Sequence, residues 1–95
     1  MLRALTSTPA DVQTVTFESF PKAGMTMSVD DVELTANPQA LLLTPGDHLL
    51  EWTFVGPRGA EYTIRVTGAR SPRAPITDRI ADDENMAAGY CDVLV

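Results

Sequence analysis

The sequence predicts an all-β fold: a single small antiparallel β-sandwich of about seven strands. Three observations carry that prediction. From Asp11 to Thr67, Val, Ile, Thr and aromatic residues alternate with polar ones at period two, the pattern of a pleated sheet with one dry face. Gly, Pro, Asn and Asp punctuate the pattern at the spacing of roughly 8–12 residues typical of sandwiches. The chain lacks the alternation of strands with long amphipathic helices that a parallel α/β sheet requires.

Val12 to Ser19 is the first expected strand, with Val15 and Phe17 on one face and Thr14, Thr16 and Glu18 on the other; it stops at Pro21-Lys22-Ala23-Gly24. Met25 to Val29 follows, with Met25, Met27 and Val29 facing inward. Asp30-Asp31 then forms a tight hairpin turn, because aspartate tolerates left-handed backbone angles, and Val32-Glu33-Leu34 returns antiparallel. Asn37-Pro38 enforces an extended or turn conformation. Ala40 to Leu43 is too short for a stable helix and is stopped by Pro45-Gly46, so it reads as a buried strand. His48 to Val55 places Leu50, Trp52 and Phe54 on the strongest core face of the chain. After the Gly56-Pro57-Arg58-Gly59 turn, Glu61 to Thr67 adds Tyr62, Ile64 and Val66. These units describe an immunoglobulin-like sandwich.

At Gly68 the texture changes. Residues 69–88 are expected to be a connector, extended through Pro72 and Pro75 and then forming one short helix from a Thr77 cap to Ala88. Residues 89–95 are expected to close the domain as a terminal strand, paired to a sheet edge of their own or of a partner. Residues 1–10 are expected to be a flexible N-terminus.

Composition narrows the function. With 95 residues, of which 44% are hydrophobic and 21% charged, the chain can fold around one small core but has little room for a deep pocket. The net charge of -6 repels a phosphate backbone, so nucleic acid is not an expected partner. Bases concentrate in residues 58–79, where five arginines meet two acids, whereas residues 80–95 hold four acids and no base. The arginines are expected to be solvated and set against acids of neighbouring strands. No apolar run approaches a membrane span of about 18 residues and no signal segment is visible, so the expectation is a cytoplasmic chain with no membrane partner. The single cysteine, Cys91, excludes an internal disulfide and fits a reducing compartment.

No residue constellation announces catalysis, a cofactor or a metal. His48 is the only histidine, and the adjacent Asp47 points to the opposite strand face, so a nucleophilic relay is not expected. Asp82-Asp83-Glu84-Asn85 and Asp30, Asp31 and Glu33 lack the spacing of a calcium loop and read as solvated turns. Cys91, beside Tyr90 in an apolar strand, reads as an inert thiol. Trp52 is expected in the core rather than in a sugar platform.

The stretch from Phe20 to His48 resembles the PEGA family of small β-sandwich modules. That family runs through a Pro-Glu-Gly-Ala turn, Val-Asp-Gly, Thr-Pro, an apolar strand and Pro-Gly-x-His. Here the corresponding residues are Pro21-Lys22-Ala23-Gly24, Val29-Asp30-Asp31, Asn37-Pro38, Leu41-Leu42-Leu43 and Pro45-Gly46-Asp47-His48. The order of glycine and alanine is inverted, Asp31 stands for the turn glycine and Asn37 for the threonine. The resemblance covers roughly residues 12–67 and implies a non-catalytic scaffold or binding module. The functional expectation is therefore a non-enzymatic interaction or assembly module, an accessory or structural subunit, with a protein partner or self-association. The terminal residues Tyr90, Val93, Leu94 and Val95 are its expected contact. A small-ligand or carbohydrate-binding domain is the alternative reading, although a small-molecule ligand is not the expected partner.

Overall fold

Eight strands account for nearly all the regular structure in the computed structural model, which describes residues 12–95; the expectation for residues 1–10 lies outside the described residues. β1 (Gln13–Phe20), β4 (Gln39–Leu43), β6 (Glu61–Thr67) and β7 (Ile76–Arg79) form one antiparallel sheet in the order β4-β1-β6-β7. β2 (Met25–Val29), β3 (Val32–Glu33), β5 (Asp47–Val55) and β8 (Met86–Leu94) form the other, ordered β3-β2-β5-β8. The two sheets bury one shared core, as the period-two pattern requires.

Alternation decides which side chains enter that core. Val15 and Phe17 of β1 and Tyr62 and Ile64 of β6 are buried from one sheet; Met27, Val29, Leu50, Trp52, Phe54 and Val93 are buried from the other. The aromatics tie the layers together. Phe54 packs against Tyr62 with ring centroids 5.2 Å apart at 57°, and Trp52 Nε1 donates to the Tyr62 hydroxyl at 2.9 Å inside the core. Opposite Trp52 in the β5–β8 register lies Gly89, and the indole fills the space a side chain there would occupy. Buried Ser19 is satisfied by Asn37, whose Oδ1 accepts from Ser19 N at 3.0 Å and whose Nδ2 donates to Ser19 Oγ at 2.6 Å.

The expected Asp30-Asp31 turn is present, both residues having positive φ (51° and 68°). Gly24 is required where it stands: its φ is +84°, and a Cβ there would collide with the Val55 carbonyl.

Two expectations need correction. The helix from Thr77 to Ala88 does not form; Ile76–Arg79 is β7 and Met86–Ala88 opens β8. The four-residue spacing of Ile76 and Ile80 suits a helix face and a strand face equally, and the unpaired side of β6 selects the strand through Glu61↔Arg79, Tyr62↔Asp78, Thr63↔Thr77 and Ile64↔Ile76. The described residues form eight strands, in keeping with the expected count of about seven. Finally, Ala40 to Leu43 belongs to an edge strand rather than a buried one, with Leu43 buried and Leu42 73% exposed.

Candidate functional site

β8 is the strand expected to meet a partner, and it pairs in cis along its whole length with β5, from Asp47↔Leu94 to Val55↔Met86. Hydrogen-bonded and non-hydrogen-bonded pairs alternate in an antiparallel ladder. Gly46 and Val95 exchange both their backbone bonds at 2.8 and 2.9 Å, and Gly56 N donates to Asn85 O at 3.1 Å. Both contacts lie on the same register, so the odd-numbered residues Ala87, Gly89, Cys91 and Val93 turn their N–H and C=O groups toward β5. The even-numbered residues turn theirs away. Leu94 shows this directly: its N–H donates to Ser71 O at 2.9 Å, and its carbonyl accepts from Arg70 N at 2.7 Å. Met86, Ala88, Tyr90 and Asp92 therefore present their backbone groups along an edge that no described strand covers.

Side chains follow the same parity. Val93 and Val95 are buried, at 0% and 7% exposure, and belong to the core; they offer no surface to a partner. Tyr90 is 76% exposed, and Leu94 and Met86 are also exposed. Of the four expected contact residues, the fold thus presents two and buries two. Parity alone separates these pairs in the sequence, and Met86, Ala88 and Asp92 are the open-edge positions that lie outside the expected set. Tyr90 stands directly across from Glu51, which in turn stands across from Ser28, and Ala88 aligns with Thr53 and Thr26. These residues line a shallow groove of about 380 Å³ on the outer face of the sheet.

The four edges differ in a way that singles out β8. Natural sheets protect edges by shortness, proline, lysine, bulges or inward-pointing charges. β3 has two residues, β4 is preceded by Pro38, and β7 has four residues with Asp78 on the core-facing side opposite Tyr62. β8 has nine residues, no proline, no lysine and an unbroken register.

His48 Nδ1 lies 2.6 Å from Asp30 Oδ2 and Nε2 lies 2.7 Å from the Thr44 carbonyl. A carboxylate and a carbonyl only accept, so the protonated ring, which donates from both nitrogens, is the form this geometry favours. The Asp30 hydrogen bond is the main cause raising the His48 pKa, with the Thr44 carbonyl adding to it. Reciprocally, His48 first and the Leu49 N–H second hold the Asp30 carboxyl below its ordinary value. Asp47, the sequence neighbour, is not the partner. Cys91 is half-buried with a pKa pushed up by burial and then by Asp92, which disfavours the thiolate. The register sets Glu18 opposite Arg65 and Glu61 opposite Arg79, but among the described residues the one ion pair within 4.0 Å is His48–Asp30. Among the described residues no three His, Cys, Asp or Glu side chains gather closely enough to hold a metal ion, and no helix is long and apolar enough to cross a membrane. No protein-family model, curated protein or solved structure matches the chain.

Proposed function

We propose that this domain is a non-enzymatic interaction module that binds its partner by strand addition at β8. The observation that carries the reading is the contrast between edges: three are short or guarded, while β8 offers backbone donors and acceptors at Met86, Ala88, Tyr90 and Asp92 over about 20–24 Å of extended strand. A partner strand placed there gains main-chain hydrogen bonds without displacing any contact of the core. The non-catalytic role implied by the PEGA-like order of turns agrees with this reading. The engaged imidazole of His48 and the raised pKa of Cys91 support it as well. The lone cysteine favours a reducing, cytoplasmic setting.

Ala88→Pro tests the proposal. Its N–H points to the open edge, so proline removes no β5–β8 bond yet blocks an incoming strand. Partner capture from the native source should be lost while the fold persists by circular dichroism; capture that survives contradicts strand addition.

A second reading rests on the exposed Tyr90 ring beside Glu51, Ser28 and Thr53, an arrangement suited to a sugar ring stacked on an aromatic and held by hydroxyls and a carboxylate. Saturation-transfer spectra with simple glycans, compared between the wild type and Tyr90→Ala, distinguish it: a Tyr90-dependent signal favours the ligand-binding role.

A further inference from the structure

Building on the strand-addition reading, we infer that the strand completing β8 belongs to a partner protein and alternates apolar side chains on its inward face with basic side chains on its outward face. The inward preference follows from β8 itself. Ala87, Gly89 and Cys91 are small, half-buried and on the core side, and Ala87 and Cys91 pack against the core cluster. Side chains opposite them extend that core sideways, so apolar residues fit there and charged ones do not.

The outward preference follows from charge. On that face Asp92 lies on β8, with Glu51 and Asp47 one strand away, opposite Tyr90 and Leu94. Asp82, Asp83 and Glu84 lead into Met86, and residues 80–95 contain no lysine or arginine. Arg70 approaches only at the Leu94 end, where its backbone is already bonded. A lysine opposite Ala88 or Asp92 meets carboxylates and the exposed Tyr90 ring. The same field argues against a second copy: β8 against β8 brings two acidic edges together in chains that each carry a net charge of -6.

The test uses the isotope-labelled chain of 95 residues and two short synthetic peptides, one alternating valine with lysine and the other valine with glutamate. The lysine peptide should shift and protect the Ala88, Tyr90 and Asp92 amides and bind at least about tenfold more tightly than the glutamate peptide. Glu51→Gln combined with Asp92→Asn should erase that preference. A lysine peptide N-methylated along one backbone edge should fail to bind, a control independent of whether Ala88→Pro folds. Equal binding of both peptides at these amides overturns the basic assignment and leaves strand addition standing. Shifts that map elsewhere, or survive N-methylation, overturn strand addition itself. Self-association that protects the same amides makes a second copy the occupant and overturns the inference.

Discussion

Replacing Gly89 by alanine is a change of one methyl group that should disturb both sheets. A Cβ at this position would lie 2.5 Å from Trp52 Cζ2, 2.8 Å from Cε2 and 3.0 Å from Nε1. Carbon atoms prefer about 3.5–4.0 Å, so the indole must shift by about an ångström or the β5–β8 pair must part. Overpacking of this kind costs about 1–3 kcal/mol. The shift also breaks the Trp52–Tyr62 hydrogen bond, which contributes about 0.5–1.5 kcal/mol. Against these, alanine restricts the unfolded chain and returns about 0.4–1 kcal/mol, because Gly89 does not occupy the left-handed region. The balance is a loss of about 0.5–4 kcal/mol, and a loss of about 2 kcal/mol is a fall in Tm of about 8–16 °C for a domain of this size. Trp52 is the sole tryptophan, so its fluorescence reports the event in a urea titration. A lower midpoint with a shifted emission maximum in the folded variant is the expected outcome. An unchanged midpoint and spectrum would show that Trp52 does not occupy the Gly89 position.

Other perturbations act on the polar locks. Asn37→Ala leaves Ser19 N–H and Oγ short of partners in a buried site and should cost about 1–3 kcal/mol by denaturant titration, with Asn37→Asp closer to wild type than alanine because it retains an oxygen for Ser19 N. The His48–Asp30 pair makes stability pH-dependent. The His48 pKa is raised above 6.5, so its contribution is full below that value and disappears as pH rises through the folded-state pKa; the Asp30 pKa is lowered below 3.8, so its contribution is present above 3.8 and disappears as pH falls through the folded-state pKa. The stability difference between wild type and His48→Gln should therefore be largest between pH 3.8 and 6.5 and shrink on either side. Asp30 is 46% exposed, and solvent screening holds the effect to about 1 kcal/mol. A difference that grows toward pH 8 contradicts the imidazolium assignment.

The strands whose one face is dry were legible because burial and periodicity agree. Leu50, Trp52 and Phe54 repeat at every second position, as do Tyr62 and Ile64, and each is buried. The Asp30-Asp31 turn was legible for a local reason, the tolerance of aspartate for positive φ. What escaped the sequence was set by neighbours. Ile76 and Ile80 fit either period, and only the vacant side of β6 decides between them. Met86-Ala87-Ala88 has helix-favouring side chains, yet pairs with Val55, Phe54 and Thr53. His48 and Asp30 lie 18 residues apart and meet because the β2–β5 register puts Val29 opposite Leu50. The terminal patch was legible in part: its apolar character pointed to a structured strand, but its division into Val93 and Val95 inside and Tyr90 and Leu94 outside depends on the face that β5 offers.

Amide hydrogen exchange along β8 of the isolated chain tests the open edge most directly. Ala87, Gly89, Cys91 and Val93 bond to β5, so their amides should exchange slowly, near the rate set by global opening. Ala88, Tyr90 and Asp92, directed to the open edge, should exchange orders of magnitude faster, with Leu94 again protected by Ser71. This two-residue alternation, ending where the connector caps the edge, is the predicted result. Uniform protection from Met86 to Asp92 would mean the edge is already covered, and uniform fast exchange would mean β8 does not pair with β5; either contradicts a domain that holds one strand edge ready for a partner.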